Sequence, residues 1–403
     1  MKIDKRKDIL FYDSDWNGHH SEFILHLINF FEKTLDDYKD CQVFFLLNPK
    51  MKEHINIKQI NICQINYLND ANIEIVTKKQ HSLIRGYREW GFLKKFINRH
   101  QINHVFLMYI DLYLFKIGFL KNQNISISGI QFLPYFRMPQ NSKRQRLRRT
   151  WHSWKIKWAA RNENLKTVSI LNDHLSVNEL NRFEWHNNLF KYLPDPINFL
   201  NERIEIERIQ MELNSLRRDK FTLLVFGHIS MRKNIFNIMR ALRLLEPNIQ
   251  DKLQLLIVGE VDLTYQNIFE QLISDFVKDI PNLLILKIEK FVTVSEMNYI
   301  FEQSDYLLMP YTNAYKSSGI IGLAAKHEKL IIGPNTGVMH DLIQDYKLGS
   351  TVNPYDVNEL KSVIELLGNN EERQLKSDFD RYIEERKPTE FSKTIFNVLL
   401  SYF

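Results

Sequence analysis

The sequence predicts an α/β protein built of two doubly wound domains facing a cleft. Three observations carry that prediction. Short apolar runs alternate with segments of helical period, a proline pair interrupts the chain near its middle, and the two sides of that interruption differ in charge and composition.

From the N-terminus, strand-like runs are DILFYD (8–13), QVFFLL (42–47), IEIV (73–76), HVFLMY (104–109), SISGIQF (126–132) and KTVSIL (166–171), with a helix expected over 21–32 after the first. YLPDPINF (192–199) carries two prolines that disfavour helix, and marks the hinge. A charged helical stretch over 201–218 leads into the second half. There the runs FTLLVFG (221–227), LQLLIVGE (253–260), NLLILKI (282–288), DYLLMPY (305–311) and KLIIGPN (329–335) do not alternate, as suits parallel strands buried on both faces. Helical patterns separate them at 235–245, 265–277, 294–303 and 319–326. The last segment, 389–403, follows Pro388 and places Phe391, Ile395, Val398, Leu399 and Phe403 on one face. The expected domains are 1–195, 196–385 and a terminal helix within 386–403.

Composition excludes several classes. Of 403 residues, 44% are hydrophobic, too many for a disordered chain. Two cysteines, Cys41 and Cys63, supply neither a disulfide framework nor a four-ligand zinc site. No apolar run reaches the roughly 18 residues that span a bilayer. The apolar stretch in MKIDKRKDILFYD is too short for a signal peptide, so the expected location is cytoplasmic. The net charge of +6 hides a split: residues 1–198 hold 30 bases and 19 acids, the remainder 24 and 29. All six tryptophans lie at or before Trp185, whereas eight of thirteen glycines lie between Gly227 and Gly368.

In such folds ligands bind beyond the carboxyl ends of the strands, so the strand-to-helix turns are where chemistry is expected. The first turn of the second domain reads FGHISMRKN (226–234). Gly227 closes the strand, and Arg232 and Lys233 are expected to open a helix, whose free amides and positive end suit a phosphate. The turn in DYLLMPYTNAYKSSGIIGLAAKH (305–327) brings Ser317-Ser318-Gly319 to another helix start, with serine as the expected cap.

Together these segments resemble the nucleotide-binding domain of GT-B glycosyltransferases, specifically glycosyltransferase family 4. The likeness spans roughly residues 190–400. FGHISMRKN answers to the phosphate loop and LLIVGE to the second strand. FVTVSEMNYIFEQSDYLLMPY and SSGIIGLAAKHEKLIIGPNTGVMHDLIQDYKLGSTVNP follow in order. The first half is similar more faintly, through DWNGHHSEF and LPDP. The resemblance implies two Rossmann-like domains, the terminal helix crossing back to the first. It also implies sugar transfer from a nucleotide diphosphate sugar with retention of configuration, and no cofactor or obligatory metal. Lys233 would contact the diphosphate beside Arg232. Gly227, Glu260, Tyr315, Ser317, Ser318 and Gly319 would line the donor. Two departures stand out. The family's loop arginine falls on His228, and its paired glutamates fall on Tyr315 and Leu323.

In the first domain Gly18-His19-His20 sits where the family's glycine-containing loop faces sugar and acceptor. A histidine near neutral pKa can receive the acceptor proton or steady the departing phosphate, so His19, His20 and Lys233 are the catalytic candidates. Asp111, Gln131 and Glu260 are further cleft candidates. Asp13-Ser14-Asp15 has the spacing of a metal-binding pair but ends a first-domain strand, and is read as coincidental. Between Asp111 and Glu163 there are eleven bases and no acid. NSKRQRLRRTWHSWKIKWAAR (141–161) should form a helix with Leu147, Trp151, Trp154 and Trp158 on one face. That stripe is either core or, with Arg148 and Arg149, a face for an anionic membrane. The sequence carries no nucleic-acid module.

The expectation is a cytoplasmic glycosyltransferase, peripheral at the inner face of the plasma membrane. It would act on a glycan or lipid-linked acceptor in bacterial surface polysaccharide synthesis. The rivals are a nucleotide-sugar epimerase on the same fold and a catalytically inactive sugar- or nucleotide-binding subunit.

Overall fold

A computed structural model describes residues 7–16, 19–34, 41–53, 63–120, 124–132, 135–140, 142–183, 188–197, 205–315, 317–368 and 377–402. The chain divides into two compact units, Met1–Pro196 with Lys387–Phe403, and Ile197–Arg386.

The first unit is built on seven strands: β1 (Lys7–Asp13), β2 (Cys41–Leu47), β3 (Cys63–Tyr67), β4 (His104–Leu107), β5 (Ser126–Gln131), β6 (Leu165–Leu171) and β7 (Phe190–Leu193). All pair in parallel, in the order β3-β2-β1-β4-β5-β6-β7. The central strands are apolar without alternation because helices cover both faces. Two expectations fail at the sheet's edges. IEIV (73–76) lies in helix Asp70–Thr77, because Asn69 caps that helix by accepting from the Asn72 amide at 3.0 Å. The strand expected there is instead CQINY, whose Gln64 and Asn66 hid it. The hinge segment begins inside β7, which Pro194 ends for want of an amide donor.

Helix Pro388–Leu400 starts on a proline suited to a first helical position. It buries Phe391, Ile395, Phe396 and Leu399 in the first unit's core. Phe391 meets Phe23 at 4.8 Å and Phe396 meets Phe11 at 5.5 Å between ring centroids.

The second unit has six parallel strands: β8 (Phe221–Phe226), β9 (Leu253–Val258), β10 (Leu284–Ile288), β11 (Tyr306–Leu308), β12 (Leu330–Pro334) and β13 (Gly349–Val352). Their order is β10-β9-β8-β11-β12-β13. The five apolar runs are the first five strands. The sixth, GSTV, was not apparent from its composition. Of the helix expected over 201–218, Glu207–Leu213 is helical, and residues 201–204 lie outside the described residues. The unit's two ends meet where the Ile197 amide donates to the Arg386 carbonyl at 2.9 Å.

Candidate active site

In each sheet the strand order reverses once, between β1 and β4 and between β8 and β11. Ligands in open parallel sheets bind at such switch points, and both carry unusual polar chemistry here.

In the second unit Lys233 is 1% exposed and lies across the switch point. Its ammonium donates to the Phe226 carbonyl at the end of β8 and, at 2.5 Å, to the Tyr311 hydroxyl beyond β11. Arg232 lies 4.5 Å from the same tyrosine ring. Burial first, then the Arg232 charge, lower the Lys233 pKa to about 7. Arg232 and Lys233 do not open a helix as expected. They sit in the 3-10 turn Met231–Lys233, and helix Ile235–Arg243 begins only after Asn234. Asn234 takes a left-handed backbone, φ 60°, and its amide donates to Pro310 O at 3.0 Å and Pro354 O at 2.6 Å. That tie holds the loop closed under Lys233.

Two glycines make the crowding possible. Gly227 has φ 92° and Gly259 φ 142°, where side chains are strained, and a Cβ on Gly259 would collide with the Gly227 carbonyl. His228 is exposed and lies 3.4 Å from Asp262. With Glu260 it lines an open cavity of about 650 Å³ beside β9. Tyr315, Ser317, Ser318 and Gly319 are half-buried in the loop before helix Ile320–Lys326. The expected serine cap is absent: the cap position is Gly319, with no side-chain hydrogen bond. Leu323 packs against the core.

In the first unit the two histidines diverge. His20 directs Nδ1 to the Asp13 carboxylate at 2.8 Å, and its ring stacks on Phe132 at 5.6 Å. Asp13 is 2% exposed, at the end of β1. Burial opposes the His20 charge, but the Asp13 hydrogen bond and charge outweigh it, so its pKa stands above the ordinary value. Burial also pushes the Asp13 carboxyl up, with His20 pulling the other way. His19 turns to Glu22 on its own helix at 3.6 Å, which raises its pKa, an effect that water screens at a half-exposed ring. Gly18 lies outside the described residues.

His20 lines a polar cavity of about 350 Å³ with Ser14, Asp15, Trp16, Asn48 and Thr77. Arg85 braces its wall, donating to Asp15 at 2.9 Å, Ser14 at 3.1 Å and the buried Glu89 at 2.6 Å. Tyr12 at 2.7 Å and Tyr113 complete the Glu89 partners. Asp111 accepts from Gln131 at 3.2 Å and from the Phe132 amide at 3.1 Å, which fixes the ring beneath His20. Sequence reasoning set Asp13 aside as part of a coincidental Asp13-Ser14-Asp15 spacing, and missed Arg85 and Tyr311 altogether. Among the described residues no cluster of three or more His, Cys, Asp or Glu could hold a metal ion.

Helix Lys143–Ala160 begins at Ser142, which forms a capping box with Gln145; Asn141 lies outside the described residues. Trp151 and Trp154 are 39% and 43% exposed and stack at 5.2 Å. Trp158 packs against Gly118, where a Cβ would collide with the indole. Arg148 and Arg149 lie on the same helix, Arg148 exposed and Arg149 half-buried. No described helix is long and apolar enough to cross a membrane.

Two parallel sheets in these orders are the architecture of the GT-B fold. Residues 207–386, within the second unit, match the family model described as glycosyl transferases group 1. The whole chain is similar in fold to Anabaena Alr3699/HepE in complex with UDP, at TM-score 0.66 and 15% identity over 98% of this chain and 100% of that one. Sucrose-phosphate synthase from Thermosynechococcus elongatus gives 0.70 at 15% identity over 99% of both. WaaG, a glycosyltransferase involved in lipopolysaccharide biosynthesis, gives 0.62 at 13% over 97% of this chain and 99% of that one. No curated protein matches the chain.

Proposed function

We propose that the protein moves a hexose-type sugar from a nucleotide diphosphate sugar to a glycan or lipid-linked glycan, with retention of configuration, in bacterial surface polysaccharide synthesis. The observation that carries this is Lys233, a buried amine at the switch point of the second sheet with Arg232 beside it. A diphosphate arriving there would restore the ammonium charge, and the pair would offset the charge of the leaving group. Gly227, His228, Glu260, Tyr315, Ser317, Ser318 and Gly319 would line the donor. In the first unit His20, kept protonated by Asp13, would donate to a sugar or acceptor oxygen, with His19 next to it in the chain. No metal or cofactor is assigned a part.

Solved neighbours hold UDP, UDP with glucose, and UDP-glucose, so UDP-glucose is the first donor to test. The assay is nucleotide release and sugar transfer across a panel of nucleotide-sugars. Release with transfer supports the proposal. Sugar isomerisation without release would make the protein an epimerase. Tight binding without turnover would make it a binding subunit, the reading that Tyr315 and Leu323 in the glutamate positions favour.

The exposed Trp151 and Trp154, with Arg148 and Arg149, support a peripheral site on an anionic membrane, with Trp158 as the anchor of the ladder.

A further inference from the structure

Around helix Lys143–Ala160 the first unit presents more apolar surface than the tryptophans alone. Leu147 is 73% exposed, and Ile84, Tyr87 and Phe119 are exposed on neighbouring elements. Phe115 joins them, its ring 6.2 Å from Trp151 and 6.0 Å from Trp154, while Phe119 lies 5.1 Å from Trp158. The same two phenylalanines line a cavity of about 510 Å³ with Leu83, Ile84 and Leu112. Its polar lining groups include two cationic side chains, Arg88 and Lys116, the latter 4.5 Å over the Tyr87 ring.

A contiguous exposed apolar patch marks a binding surface, and a cavity of this size suits a small ligand. Its walls are hydrocarbon, so they reward an aliphatic chain. Arg88 and Lys116 reward an anion next to that chain. The segment between Asp111 and Glu163, with eleven bases and no acid, extends the same charge. Bases of a nucleic acid could stack on the indoles, but they carry no hydrocarbon for the cavity. An anionic phospholipid supplies both halves.

We infer that this cavity takes a hydrocarbon chain of an anionic phospholipid, its phosphate at Arg88 and Lys116, while Trp151 and Trp154 lie in the membrane interface. The inference rests on the membrane reading of the tryptophan face and deepens it, from attraction to a surface to capture of one lipid.

The test uses the full chain and two probes. Dioctanoyl phosphatidylglycerol below its micelle concentration, titrated calorimetrically, reports the cavity. Vesicles of phosphatidylcholine with and without phosphatidylglycerol, followed by sedimentation, report the face. The expected result is saturable one-to-one binding of monomeric phosphatidylglycerol, and sedimentation only with anionic vesicles. Ile84→Asp, at an exposed position, should weaken monomer binding about tenfold, or about 1.4 kcal/mol, with vesicle binding largely kept. Leu83→Trp, which fills the cavity, serves if Ile84→Asp does not fold. Trp151→Ala with Trp154→Ala should do the reverse. Sedimentation without monomer binding overturns the cavity inference and leaves the membrane reading standing. No sedimentation, with or without RNA binding, overturns both.

Discussion

Lys233 is the residue whose chemistry reaches furthest. The folded chain releases its proton near pH 7, the unfolded chain at about 10.4. Between those values the unfolded state holds the extra proton, so the stability of the ligand-free protein should rise with pH from about 7 to about 10. Lys233→Met should abolish that rise in denaturation curves. The same shift makes nucleotide binding take up a proton above neutrality, measurable by calorimetry in buffers of different ionisation enthalpy. A binding enthalpy independent of buffer would overturn the assignment of Lys233 to the diphosphate. For turnover, loss of this cation should lower kcat by about 10²–10³. His20 is the mirror case. Its folded pKa lies above the ordinary value, so the pair with Asp13 stabilises the fold below about pH 6.5 and loses that contribution as pH rises through the raised value. Asp13→Asn should bring the His20 titration, followed by proton NMR, down towards about 6.5. An unchanged midpoint would mean that the carboxylate only packs there. Lys233 was legible from its place after a strand and a glycine. Asp13 stood out only by its spacing to Asp15, a misleading cue, because its pairing with His20 shows only when the fold buries it and aims it at that ring.

At the scale of elements, long buried strands were legible and short or polar ones were not. FTLLVF and LQLLIV are apolar on both sides and could only be interior strands. CQINY, GSTV and the ambiguous IEIV owe their state to a neighbour or a cap, which periodicity does not contain. The turns divided likewise. FGHISMRKN reads in the sequence as a phosphate loop opening a helix, but its 3-10 turn and the left-handed Asn234 delay the helix by a step the sequence does not signal. The close approach of β8 and β9 beyond their ends depends on Gly259. Gly259→Ala combines a strained backbone with a collision against Gly227 O, and should destabilise the second unit by about 1–3 kcal/mol. It should also weaken nucleotide binding, because Gly227 lies against Lys233. Thermal melting and nucleotide titration on the same sample check this. A fall in stability with unchanged affinity would separate the loop from the site.

For the whole molecule, two units with separate cores mean that stability is unevenly shared. Helix Pro388–Leu400 brings four fully buried apolar side chains to the first unit. At about 2 kcal/mol each, their loss approaches the full stability of an ordinary domain. The Ile197–Arg386 segment instead brings its own ends together by a backbone hydrogen bond. A fragment of residues 197–386 should therefore fold alone and bind nucleotide through Lys233. A fragment of residues 1–196 should stay largely unfolded until a peptide of residues 387–403 is added, with folding followed by circular dichroism. All six tryptophans belong to residues 1–196, so their fluorescence reports that recovery directly. If the 1–196 fragment folds unaided, the terminal helix is an accessory of the first core and not part of its foundation. If the 197–386 fragment folds but binds no nucleotide, the switch-point site needs more than its own sheet.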